Sequence, residues 1–93
     1  MTPQERLEVL QIVARASHYA YDGKITRRQA GLIFQRFASL LNAKGYFNDR
    51  STRAMVISKL VNRPVEGVSS LSYGEAKALL DEENIGEILE ILL

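Results

Sequence analysis

Three stretches of this chain carry the same four-residue signature, and together they fix where helices begin. Thr2-Pro3-Gln4-Glu5, Thr26-Arg27-Arg28-Gln29 and Ser72-Tyr73-Gly74-Glu75 each place a hydroxyl three residues before an acid or amide. In such a capping box the hydroxyl accepts from a backbone N–H of the first turn. The acid or amide reaches back to the N–H of the capping residue, so two orphaned donors are satisfied at once. Pro3 strengthens the first start, because a proline there has no N–H to lose. The expectation is an all-α fold, a small bundle of four to five helices.

Apolar periodicity fills in the spans. A first helix is expected over about residues 3 to 21. Glu8, Gln11, Arg15, His18 and Asp22 form a polar stripe, while Val9, Val13, Ala16 and Ala20 line another face beside Leu10 and Ile12. Asp22-Gly23 supplies a turn. A second helix, about 27 to 44, presents Ala30, Ile33, Phe34, Phe37, Leu40 and Leu41, with both phenylalanines anchoring the core and Gly45 as its stop. The third, about 51 to 62, carries Val56, Ile57, Leu60 and Val61 inward, and Pro64 ends it. The fourth begins at Ser72 and buries Ala76, Leu79 and Leu80. Residues 84 to 93 form an acidic and apolar tail with Ile85, Ile88, Leu89 and Leu92 on one helical face. Two readings stay open for it: a fifth helix completing the core, or a partner-binding or dimerising helix.

With 93 residues, the chain fits a single helical domain spanning 1 to 93. It has no cysteine, which excludes a disulfide framework, a zinc–thiolate site and a thiol nucleophile. The mixed charges of Met1 to Arg6 do not read as a secretory leader. No apolar run nears the ~20 residues of a membrane span. A cytoplasmic protein with no membrane partner is the expectation.

Net charge is +1, but the charge is sorted along the chain. All 12 basic residues precede residue 80, together with six acids, which leaves that body at +6. The other five acids, Asp81, Glu82, Glu83, Glu87 and Glu90, give the last stretch −5. A basic body with an acidic tail points to binding.

Chemistry-bearing motifs are scarce. Asp22-Gly23-Lys24-Ile25 has the look of a calcium loop, but with Gly23 at loop position six the ligand positions one, three and twelve fall on His18, Ala20 and Gln29. One carboxylate is too few, and the segment reads as a helix-to-helix turn. His18, the only histidine, lies on the polar stripe, and sequence spacing sets no serine beside it. No phosphate loop, metal-spaced cluster or catalytic carboxylate pair is present, so neither a cofactor nor a metal is expected and the chain does not read as an enzyme.

The basic residues are better material. Lys24, Arg27 and Arg28 gather at the start of the second helix, where free N–H groups favour an anion. Arg50, Arg53, Lys59 and Arg63 surround the third, and Tyr46 and Phe47 lie in the loop before it. Basic groups with aromatics nearby suit phosphate contact plus base stacking. The bland alternative is a solvated surface with aromatics closing the core, and a pI of 8.1 is below the ~9 of a dedicated nucleic-acid binder.

Residues 25 to about 83 resemble a helical module of the Mu-like phage GemA regulatory family and of C-terminal parts of phage recombination proteins. The residues that carry the resemblance are Ile25-Thr26 with Gln29 and Ile33, then Leu60-Val61-Asn62, then Leu71-Ser72, Glu75-Ala76 and Leu79-Leu80-Asp81. The chain differs in having Leu80 where isoleucine is common. The resemblance implies a DNA-transaction or regulatory setting and carries over no catalytic residues.

The expected function is therefore that of a non-enzymatic phage or bacterial accessory protein. Its partner would be nucleic acid or a nucleic-acid-processing complex, met through the basic surface. The alternative is a small protein–protein inhibitor or adaptor, for instance a phage protein that blocks a host defence complex. A homodimer is a further open partner class.

Overall fold

A computed structural model describes all 93 residues. It contains α1 (Pro3–Ala20), α2 (Arg27–Ala43), α3 (Arg50–Val61), α4 (Tyr73–Asp81) and α5 (Ile85–Leu92), with a 3-10 turn at Val68–Ser70. There is no strand, only one isolated bridge between Lys24 and Ser72. The fold is all-α, and no helix is long and apolar enough to cross a membrane.

All three capping boxes form, with both reciprocal bonds present at Thr2, Thr26 and Ser72. A fourth cap carries no capping-box signature: the Asp49 carboxylate accepts from Thr52 N–H at 2.7 Å and starts α3. That bond, with the charge of Arg53 adding to it, holds the Asp49 carboxyl below its ordinary range. Asn62, not Pro64, ends α3, in a left-handed conformation at φ 57° that asparagine tolerates. Gly45, at φ 80°, follows α2 as expected. Thr26→Ala removes the acceptor for Gln29 N–H and is expected to cost about 1 kcal/mol. Thermal denaturation followed by circular dichroism would read this as a lowered midpoint.

One core of eighteen buried residues draws on all five helices. The radius of gyration, 12.0 Å, matches the ~12 Å of a single folded unit of this length. In α3 the inward face is Val56, Ile57, Leu60 and Val61, as the periodicity predicts. In α2, Ile33, Phe37 and Leu41 are buried, but Phe34 is 41% exposed. Phe37 alone anchors the core; Phe34 sits on its rim.

α1 is rotated from expectation. Its buried residues are Leu7, Leu10 and Ala14, while Val9, Ile12, Val13, Ala16 and Ala20 face solvent. Two residues of the polar stripe turn inward because each finds a partner. Gln11 donates to Lys59 C=O at 2.7 Å, and His18 Nδ1 lies 2.8 Å from Ser72 Oγ. A polar group with a hydrogen-bond partner can be buried at little net cost, so polarity alone does not set the face.

The tail is a fifth helix. Ile85, Ile88 and Leu89 are fully buried, and Leu92 packs against the core's edge. These four side chains point into the domain, so they are not a free surface for a partner. Their neighbouring acids face the basic body: Glu90 lies 3.5 Å from Lys44, and Glu87 lies 3.1 Å from Arg6 Nε, although without hydrogen-bond alignment. Part of the charge asymmetry is thus consumed inside the molecule.

The tightest junction is between α1 and α4. Helix 4 arrives with Tyr73 N–H donating to Gly23 C=O and Gly74 N–H to Tyr21 C=O. Ser72 N–H donates to Glu75 Oε1, and Glu75 N–H donates to Ser72 Oγ. All four first-turn donors of α4 are therefore satisfied, two of them by the chain leaving α1. At the other end of α4, the Arg36 guanidinium donates to the carbonyls of Leu79, Leu80 and Glu82. A cation there satisfies orphan acceptors and complements the helix dipole.

Candidate nucleic-acid interface

Helices α2 and α3 and the 3-10 turn enclose a cleft of about 270 Å³, lined by Phe34, Arg50, Arg53, Gly67, Val68 and Ser69. The Arg53 guanidinium stacks over the Phe34 ring, 4.9 Å from its centroid. Its Nη1 donates to Asn48 C=O at 2.7 Å and to Asn48 Oδ1 at 2.9 Å. Arg50 is tethered more loosely, its Nε donating to Glu66 C=O at 3.3 Å. Each guanidinium is thus held at one edge and keeps its remaining N–H donors for an incoming acceptor. The cleft is smaller than the ~300 Å³ at which small-molecule pockets begin, a size that suits a phosphate better than a whole nucleoside.

Phe47, 85% exposed, stands one residue before Asn48, and Tyr46 is 43% exposed. Both remain available for stacking, because α2 ends at Ala43 and the chain reaches the Asp49 cap through a turn at Lys44 and Gly45 and an irregular loop. Phe34 was not expected here. The signal lies in its position at the edge of the apolar arc of α2, where a partner ring or guanidinium can cover one side.

The other basic residues distribute unevenly. Lys24, Arg27 and Arg28 are all exposed at the start of α2. Arg27 lies two turns before Phe34 on the same face of α2, about 10 Å away along the axis, and does not line the cleft itself. No acidic residue occupies the first turn of α2, which leaves these arginines in an unfavourable field at the positive helix end. Lys59 is exposed but about half a turn around α3 from Arg50, away from the cleft.

Arg63 has a different task. Its Nε and Nη2 grip the buried Glu75 carboxylate at 2.7 and 2.6 Å, and Nη2 also donates to Ser70 C=O. Burial pushes the Glu75 carboxyl up, but the Arg63 hydrogen bonds, the Ser72 N–H and the charges of Arg63 and His18 outweigh it. The net result is a carboxyl below its ordinary 4.5. Arg63 is therefore a structural ion-pair partner and not part of the cleft. Only Arg6, Lys44, Arg63 and Lys77 pair with carboxylates. The other eight basic residues, the cleft arginines among them, carry no carboxylate partner.

The structure also brings together a serine and a histidine that spacing alone did not. Ser72 Oγ, however, is the cap of α4, already accepting from Glu75 N–H at 3.1 Å, and Ser72 is 8% exposed. Glu75 bonds Arg63 and Ser72 N–H, not the second ring nitrogen of His18. A relay needs the base oriented by a third group at that nitrogen. The arrangement is a helix cap with an imidazole attached.

No family model, curated protein or solved structure matches the chain. The reading of the cleft rests on its own residues. No group of histidines, cysteines and acids is placed to hold a metal ion.

Proposed function

We propose that the chain is a non-enzymatic phage or bacterial accessory protein that contacts nucleic acid, alone or within a nucleic-acid-processing complex, through the cleft of Phe34, Arg50 and Arg53. The observation that carries this reading is the tethering of two guanidiniums with free donors in one cleft, Arg53 against the Phe34 ring, with Phe47 exposed in the loop that leads to α3. Phosphate contact fixes the strand and an aromatic face accepts any base, so the expected preference is for single strands with little sequence discrimination. The similarity of residues 25 to 83 to the GemA-type module supports the setting. So does the acid-free first turn of α2, whose field a phosphate relieves.

Fluorescence titration of labelled oligonucleotides at two salt concentrations tests the reading. Arg50→Ala and Arg53→Ala are expected to weaken binding by similar factors across unrelated sequences. Each is also expected to reduce the slope of log affinity against log salt by about 0.7 to 0.9. Phe47→Ala should cost about 1 to 3 kcal/mol on single strands without changing that slope. Lys59→Ala, remote from the cleft, should leave both quantities unchanged. Absence of binding to single- or double-stranded DNA or RNA at low salt would sink the proposal.

A second reading, a protein–protein inhibitor or adaptor, is favoured by one feature: the apolar residues that α1 turns to solvent. Binding through that face would be nearly independent of salt, which separates it from phosphate contact.

A further inference from the structure

The outward side of α1 is a continuous apolar stripe. Val9, Ile12, Val13 and Tyr19 are 44%, 68%, 45% and 72% exposed, with Ala16 and Ala20 exposed among them. These six recur at steps of three and four, so they share one face of the helix. Single exposed apolar residues are ordinary on a soluble surface, but a contiguous helical stripe marks an interface.

The charges beside the stripe say what fits it. Glu8 and Arg15 lie on the same flank, two turns apart, and neither is ion-paired within the chain. Their midpoint falls between Gln11 and Ile12, which is also the midpoint of α1. A two-fold axis crossing there runs two α1 helices antiparallel and sets Glu8 of each copy level with Arg15 of the other. A parallel two-fold pair would instead carry the charged flank of the second copy to the opposite side of the interface, leaving Glu8 and Arg15 without partners. The face is self-complementary in one orientation only, which is what a closed two-fold dimer requires. A groove of about 390 Å³ lined by Glu8, Gln11, Ile12, Arg15 and Asn62 runs along the same flank and gives room for the second copy's side chains.

We propose that this face is the interface of a homodimer, formed by two antiparallel α1 helices about an axis near Ile12. The inference uses a different surface from the cleft and stands independently of the proposed function. α1 packs on α3, α4 and α5, while the cleft belongs to α2, α3 and the 3-10 turn. Both clefts of the dimer therefore stay open.

Sedimentation velocity over a series from about 1 μM to about 100 μM tests the proposal. The wild-type chain is expected to approach twice the monomer mass at the upper end. Ile12→Glu should remain a monomer throughout with an unchanged helical spectrum, since Ile12 is 68% exposed and lies outside the core. Glu8→Arg or Arg15→Glu alone should raise the dimer dissociation constant about tenfold by placing like charges together. The double exchange Glu8→Arg/Arg15→Glu should return it close to the wild-type value. A wild-type chain that stays monomeric overturns the proposal, as does an Ile12→Glu chain that still dimerises. A double exchange no better than the single changes overturns the antiparallel pairing with a second copy.

Discussion

Replacing Gly74 with alanine is expected to remove most of the stability of this domain. A Cβ at this position would lie 1.9 Å from the Ser17 carbonyl oxygen, 2.3 Å from its carbon and 2.8 Å from His18 N. All three are backbone atoms of α1, so no side chain can swing aside to make room. Relief requires α4 to lift away from α1, which breaks the bonds of Tyr73 and Gly74 N–H to Gly23 and Tyr21 and opens the core over Leu79. Overpacking of this kind exceeds the usual 1 to 3 kcal/mol, and a loss above about 3 kcal/mol is expected. Small domains have roughly 5 kcal/mol to lose. The expected result in urea denaturation is a transition shifted to very low denaturant or absent. Gly31→Ala is the control, because nothing lies within 4 Å of its Cβ and helical propensity should rise by about 0.5 to 1 kcal/mol. Equal stability of the Gly74→Ala chain and the wild type would mean that α1 and α4 do not cross here.

The second large effect is expected at Arg63. The Glu75 side chain is only 3% exposed, and Arg63 supplies its sole countercharge in hydrogen-bond contact. Arg63→Ala leaves a buried carboxylate unpaired, a change that costs about 3 to 5 kcal/mol in a fully buried pair. Here about 2 to 3 kcal/mol is the better figure, since the Arg63 side chain is 40% exposed and water can partly replace it. Adding Glu75→Gln should recover part of the loss, because an amide oxygen can still accept from Ser72 N–H without a charge to compensate. The same pair fixes a pH dependence. The folded Glu75 carboxyl lies below its ordinary 4.5, so the unfolded chain binds the proton more readily. Its contribution to stability is therefore complete above about pH 4.5 and lost as the pH falls through the folded value. Arg63→Ala should flatten that acid limb. An acid denaturation curve that keeps its slope in the variant would rule out the pair as its source.

The helix starts were legible because capping is local chemistry: Thr2, Thr26 and Ser72 each meet a partner three residues away. The inward face of α3 was legible for a similar reason, since it has one apolar arc and no rival. α1 has apolar residues on two sides, and sequence periodicity cannot choose between them. The choice is made by distant groups, namely the Lys59 carbonyl that takes Gln11, the Ser72 hydroxyl that takes His18, and the missing side chain of Gly74. The cleft was half legible. Arg50, Arg53 and Phe47 stood out as a cluster of type and spacing, whereas Phe34 looked like core because its rim position depends on where the 3-10 turn packs. Arg63 was indistinguishable from its neighbours in sequence. Only the buried carboxylate twelve residues on separates it from them.

The α1–α4 junction also bears on how quickly the domain forms. Helical bundles usually fold fast because their contacts are local. Here the closest packing and its polar lock join residues far apart in the chain, His18 and Ser72 being separated by 54 positions. α2 and α3 can grow by local propagation, but neither contributes the crossing at Gly74. The two ends of a long loop must meet before that crossing yields any stabilisation, and the entropy of closure falls on the barrier. The encounter of α1 with α4 is therefore the step expected to limit the folding rate, the kinetic consequence of a junction held by backbone contact.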